Sequence, residues 1–321
     1  MRLLILAAVA FAVFLGAPAW AEVRVVASIV PVHSLVAGVM EGVGAPHLLV
    51  PGGASPHSFA LRPSDARRLD HATAVFWIGP QLESFLDRPL KALARKALVV
   101  ALVDAEGMKR LPYREGGPWE PDADEDEHHG REQAKVEVPD HDHDRGQYGI
   151  DGHVWLDPEN AIAMTRAIAQ ALGHADPAHK ARYESNAARM VARLQALDTA
   201  LQDRLAPAKG KPYIVFHDGY HYLEARYGLT PVGSITVSPE VGPGAKRLLE
   251  IRTRIRKDGV ACVFAEPQFE PKLVGTVIEG TSARAATLDP LGAALDPGPG
   301  AYFQLLENLA KDLNACLAGA S

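Results

Sequence analysis

Short apolar β-runs alternate with helical patterns along this chain, twice over, and that alternation restricts the fold more than any other feature. Val23 to Val30, His47 to Val50, Thr73 to Ile78 and Leu98 to Val103 read as strands. Helix-compatible stretches at Val32 to Met40, Ser64 to Leu69 and Gln81 to Lys96 separate them. Strands and helices in strict alternation form parallel βαβ units. The pattern restarts with strands at Tyr213 to Phe216, Val232 to Thr236, Val260 to Ala265 and Ala285 to Leu288. Helical stretches at Tyr220 to Tyr227, Gly244 to Lys257 and Pro271 to Glu279 lie between them, and Tyr302 to Leu317 closes the chain. The expected fold class is α/β, with two lobes of (β/α)4 type and mainly parallel sheets.

The lobes are joined by the longest helical pattern in the sequence. Asp157-Pro158 has the form of an N-cap followed by proline at the first helical position, and Asp176-Pro177 repeats it. Met190, Leu194, Leu197, Leu201 and Leu205 then recur at spacings of four and three, one apolar stripe, until Pro207 ends it. From Pro177 to Leu205 is 29 residues, about 44 Å at ~1.5 Å per residue. A helix of that length can run beside both lobes as a shared spine. The expected division is an N-terminal lobe over 22–175, the linking helix over 176–206 and a C-terminal lobe over 207–321.

Residues 1–21 are excluded from the fold. Arg2 supplies a charged start, Leu3 to Leu15 an apolar stretch too short to span a bilayer, and Ala19-Trp20-Ala21 a small-x-small cleavage site. A cleaved leader places the mature protein outside the cytoplasm. In that compartment the two cysteines, Cys262 and Cys316, favour a disulfide tying the last helix to its sheet, with two buried thiols as the alternative.

The stretch from Glu120 to His143 cannot join either core. It carries His128, His129, His141 and His143 in an acidic, apolar-poor run, a composition that reads as a disordered loop with affinity for metal. Across 113–151 there are 13 acids and 4 bases, a local charge of −9, so the formal net charge of −6 leaves the rest at +3. No basic stripe with interleaved aromatics points to nucleic acid. No GxxxxGK[ST] loop is present, so any ATP hydrolysis belongs to another chain.

Ligands of open α/β sheets gather beyond the carboxyl ends of the strands. His57, His217 and Asp289 each follow a β-run and fall on that edge; His153 stands between the acidic stretch and the β-like run Val154 to Leu156. Three imidazoles and a carboxylate make an N/O set suited to tetrahedral zinc, whereas magnesium and calcium prefer all-oxygen cages. His33 follows the first strand and is a lesser cleft candidate; His221, four residues after His217, is an auxiliary one. His47, His71, His174 and His179 read as strand-start or surface residues. Asp157 and Asp218 read as helix caps or as carboxylates orienting a ligand ring, and Trp155 and Phe216 as packing that keeps the site dry.

At these residues the chain resembles a known family. Pro51-Gly-Gly-Ala-Ser-Pro-His57 with Leu61-Arg-Pro-Ser-Asp65, Asp151-Gly-His-Val-Trp-Leu-Asp157, Phe216-His-Asp218 and Leu288-Asp-Pro290 are similar, in this order, to motifs of the zinc-binding proteins of bacterial ABC importers. The charged histidine-rich insertion and the spine helix resemble the ZnuA-type branch of these cluster A-I receptors. The resemblance implies a metal site at the lobe interface, with His57, His153 and His217 as ligands of Zn²⁺. Asp289 matches a position that ligates metal in some relatives, and Pro56 stands where some zinc members have glutamate. It implies a periplasmic receptor, monomeric and not an enzyme, that hands Zn²⁺ to a membrane permease; a zinc chaperone could load it through the histidine-rich loop. The related manganese receptors carry a carboxylate where His217 stands. Two other classes remain open on the residues alone. One is a secreted zinc hydrolase with Asp289 or Glu266 as base. The other is a Mn²⁺ receptor or surface adhesin, against which the absence of a lipobox cysteine counts.

Overall fold

The computed structural model describes residues 23–119, 149–236, 239, 242–270 and 272–319. The expected leader at 1–21 and the loop histidines His128, His129, His141 and His143 lie outside the described residues. Among the described residues, eight strands form two sheets of four. The first has the order β2-β1-β3-β4, from β1 (Val25–Ala27), β2 (His47–Leu48), β3 (Ala74–Trp77) and β4 (Leu98–Ala101). The second has the order β6-β5-β7-β8, from β5 (Pro212–His217), β6 (Thr230–Thr236), β7 (Cys262–Ala265) and β8 (Arg284–Thr287). Every strand pair is parallel. The central strands β1 and β3 are buried throughout, as expected when helices cover both faces of a parallel sheet.

The first lobe carries helices α1 (Val30–Val39), α2 (Pro63–Asp70) and α3 (Ser84–Leu93), then α4 (Pro158–Ala175) beyond the acidic stretch. The second carries α6 (His221–Tyr227), α7 (Ala245–Lys257), α8 (Lys272–Ile278) and the closing helix α9 (Ala301–Leu317). Between them runs α5 (Lys180–Leu205), 26 residues long and about 39 Å at ~1.5 Å per residue. It is shorter than expected because Pro177–His179 form a 3₁₀ turn. Asp176 does not cap that turn with its side chain; the carboxylate accepts from His179 Nδ1 (2.7 Å) and the Tyr183 hydroxyl (2.8 Å). Asp157 does cap α4, accepting from the Glu159 backbone N–H at 2.9 Å.

The stripe Met190, Leu194, Leu197, Leu201 and Leu205 is buried. It joins one core that includes Val26 and Phe76 of the first sheet and Leu306 and Leu309 of α9. The other face of the second sheet has a smaller core of its own around Ile214, Ile251 and Val263. The spine and the last helix therefore pack against elements of both lobes.

Cys262 on β7 and Cys316 on α9 are bonded, with a Cα–Cα distance of 6.1 Å and a sequence separation of 54. Closing a loop of that length removes roughly 4 kcal/mol of chain entropy from the unfolded state. The Cys262→Ser/Cys316→Ser variant is expected to lose stability of that order. Denaturation of the metal-free protein measures it, and a loss under about 1 kcal/mol would show that the bridge is not a main support of α9.

Candidate metal centre

The site forms where the two lobes meet. His217 is the last residue of β5, and His57 lies on the turn-rich loop that follows β2. His153 precedes a 3₁₀ turn, Val154–Leu156. That turn corrects the expected β-like run: three buried apolar residues carry no period that separates a strand from a tight turn. Ligand nitrogens of His57, His153 and His217 all lie within 4.8 Å of one another. His153 and His217 are buried, and His57 is half-buried.

Two carboxylates fix the rings. His153 Nδ1 donates to Asp151 Oδ1 at 2.7 Å, and the same oxygen accepts the His153 backbone N–H at 3.0 Å. His217 Nδ1 donates to Glu266 Oε1 at 2.7 Å, and its backbone N–H reaches that oxygen at 3.3 Å. With the proton held on Nδ1, each Nε2 presents a lone pair, and the two Nε2 atoms face one another at 3.2 Å. Lone pairs so placed repel unless a cation sits between them. Zn–N bonds of ~2.0–2.1 Å in a tetrahedron require an N···N edge of about 3.3 Å. The pair is therefore set at a zinc-compatible spacing.

The surroundings are tightly packed and largely aromatic. The His153 ring lies 5.3 Å from the Trp155 ring, and the indole N–H donates to the Pro290 carbonyl at 2.9 Å. Phe269 packs edge-on to His217 at 5.9 Å and stacks on Phe216 at 4.9 Å, so Phe216 supports the site from behind. Gly219 is required by close approach: a Cβ there would stand 2.4 Å from His217 Nε2 and 3.2 Å from His153 Nε2.

The other candidates fall elsewhere. Asp289 is not brought into the cluster. Its carboxylate accepts the backbone N–H groups of Leu291 (3.1 Å), Gly292 (2.9 Å) and Ala293 (2.5 Å), and the Gln268 side chain (3.2 Å). Asp157 and Asp218 orient no ligand ring. Asp157 caps α4 and lies 3.3 Å from Arg226, while Asp218 pairs with Arg114. His33 is turned to the Pro46 carbonyl at 3.1 Å, and His221 stands 4.0 Å from Asp151. The orienting residues Asp151 and Glu266 were open to sequence reasoning. Asp151 lies two residues before a ligand in a motif already singled out, and Glu266 follows β7 on the ligand-bearing edge.

Burial disfavours a charged His217 ring, but the charge and hydrogen bond of Glu266, with Asp218 and Asp151 beyond, outweigh it and raise the pKa above 6.5. Metal needs the neutral ring, so protons compete with it already near neutrality. Zinc affinity is expected to fall as pH drops through the raised pKa of His217, and a pH-independent affinity would contradict this. In the metal-free protein the sign is opposite. A raised folded pKa makes this ring stabilising below its unfolded value, a gain lost as pH rises through the folded pKa. Replacing Glu266 with alanine removes the acceptor that fixes the Nδ1–H tautomer. Zinc affinity should drop ~10–100-fold, read by chelator competition; an unchanged affinity would dismiss the orienting role.

Comparison with known proteins gives a consistent result. The profile of the family described as ZnuA, zinc-uptake complex component A, periplasmic, matches residues 25–316. The high-affinity zinc uptake system protein ZnuA of Brucella suis biovar 1 is 47% identical over 310 residues, covering 92% of this chain and 91% of its own. Its counterpart in Yersinia pestis is 38% identical over 297 residues, 92% of each chain. A crystal structure of ZnuA has the same fold, with a TM-score of 0.72 at 23% identity over 91% of this chain and 99% of that one. Matched almost end to end by the profile and by relatives of this identity, the chain belongs to the ZnuA family of periplasmic zinc-uptake components.

Proposed function

We propose that this protein captures Zn²⁺ in the periplasm through His57, His153 and His217 and delivers it to the membrane permease of an ABC transporter. The observation that carries the reading is the pair of buried imidazoles held by Asp151 and Glu266 with their Nε2 atoms 3.2 Å apart and His57 alongside. Three neutral nitrogens favour zinc over the harder Mn²⁺. The zinc-uptake relatives support the same cargo, and the family's description as periplasmic supports the compartment. Membership in a transport family favours capture over hydrolysis.

In this reading a leader ends at Ala21, residues 22–175 and 207–321 form the lobes, and 176–206 link them. The protein acts as a monomer. His128, His129, His141 and His143 gather zinc weakly and present a surface to a periplasmic zinc chaperone. The test is calorimetric titration of metal-stripped protein with Zn²⁺ and with Mn²⁺. One tight zinc event followed by weaker ones, with Mn²⁺ much weaker, is expected. Equal or better Mn²⁺ binding, or no tight zinc event, would overturn the proposal.

A further inference from the structure

Gln268 lies on the segment after β7, two residues beyond Glu266, and borders the same small cavity as His57, His153 and His217. Its side-chain amide is oriented without ambiguity. One terminal atom lies 3.0 Å from the Gly52 carbonyl and 3.2 Å from Asp289 Oδ1. Both neighbours only accept, so that atom is the NH₂ group, and both of its hydrogens are used. Oε1 must then point away from Gly52 and Asp289, and it is buried without a hydrogen-bond partner in the protein. A buried carbonyl oxygen left unpaired costs roughly 1–3 kcal/mol, so its retention beside a ligand cluster calls for an explanation.

The geometry around Gln268 shows how firmly it is held. Gly52 belongs to the loop leading to His57, and a Cβ there would stand 2.6 Å from the Gly292 carbonyl oxygen and 2.9 Å from Ala293 Cα. That loop therefore lies directly against the turn whose N–H groups Asp289 accepts. Gln268 bridges the two loops across the lobe interface and keeps Asp289 occupied. With Asp289 engaged, the three imidazoles leave one corner of a zinc tetrahedron for a solvent oxygen.

Building on the zinc-capture reading above, we propose that Gln268 is the positioning residue for that fourth corner. Its Oε1 accepts a hydrogen bond from the water that completes the coordination of the captured ion. The amide thus closes the coordination shell by hydrogen bonding without adding charge and without recruiting a carboxylate. The chain keeps Asp289 out of the shell by tying it to Gln268 and to backbone N–H groups.

The experiment uses the full-length mature protein, with zinc dissociation rate and the Co²⁺ d–d absorption spectrum as readouts. Gln268→Met keeps the length of the side chain and removes every polar atom. Gln268→Glu keeps an oxygen at the end of a side chain of the same length but cannot donate to Gly52 or Asp289. The proposal expects Gln268→Met to release zinc ~10–100-fold faster with altered Co²⁺ bands, and Gln268→Glu to recover slow release. Wild-type behaviour in Gln268→Met overturns it. So does a Gln268→Glu protein as fast as Gln268→Met, which would mean that only the clasp to Gly52 and Asp289 matters. Wild-type protein that binds neither ion tightly overturns the zinc-capture reading itself, a result distinct from both. Circular dichroism of the metal-free variants confirms that each is folded before it is scored.

Discussion

Replacing His217 with alanine is expected to lower zinc affinity by two to three orders of magnitude while leaving the metal-free protein folded. Structural zinc sites bind with roughly 10–16 kcal/mol, and sharing that among four donors gives about 3 kcal/mol for one. His217 is placed to be worth at least this share. It is 4% exposed, its tautomer is set by Glu266, and its Nε2 faces that of His153. No other described histidine stands near enough to substitute, since His221 is turned toward Asp151 and His33 toward Pro46. Asp289→Ala is the informative contrast. Its carboxylate is already engaged by three backbone N–H groups and Gln268, so its loss should change zinc affinity less than about tenfold. Chelator competition on both variants reads the ligand set directly. A large loss in Asp289→Ala with little change in His217→Ala would reverse the assignment.

The elements were legible in the sequence because each rests on local information. Alternating β-runs and helical stripes gave both lobes, and the stripe from Met190 to Leu205 gave the spine. Strand ends pointed to His57 and His217 as candidates, since ligands of parallel sheets collect on that edge. His153 was weaker on those grounds, because Val154 to Leu156 is a turn and not a strand. What stayed hidden was the pairing of charges over long separations. Asp157 and Asp218 sit beside helix starts and ligands, the right neighbourhood for orienting a ring, yet arginines more than 60 residues away in sequence claim them. Arg226 and Arg114 carry no local signal for these partners. Asp289 depended on a turn whose N–H groups converge on one carboxylate, and that convergence exists only in the folded chain.

Arg114→Met should destabilise the metal-free protein by about 3–5 kcal/mol, the range for removing one partner of a buried ion pair. Arg114 stands near the start of the acidic stretch and reaches across the lobe interface. Its Nε donates to Asp218 Oδ1 at 2.9 Å, its Nη1 lies 2.9 Å from Glu224 Oε2, and its guanidinium covers the Trp119 ring at 3.6 Å. The side chains of Asp218 and Glu224 are 5% and 3% exposed, so water cannot replace the arginine. Even with Arg114 present, burial pushes the Glu224 carboxyl up to about 7, opposed by the arginine and reinforced by Asp218. Without the arginine the opposing influence is gone and the pKa must rise further. A folded pKa above the unfolded one costs stability once pH passes the unfolded value, because the folded state then holds the extra proton. Wild type already bears this cost up to about pH 7, so the Glu224 part of the Arg114→Met deficit should open above about pH 7 and grow with pH. Denaturant unfolding at several pH values reads it. A variant within about 1 kcal/mol of wild type at neutral pH would show that the two carboxylates find other compensation. The same argument explains why the cation sits where it does. Asp218 is the residue after His217, and Arg114 holds its carboxylate away from the proposed metal cluster.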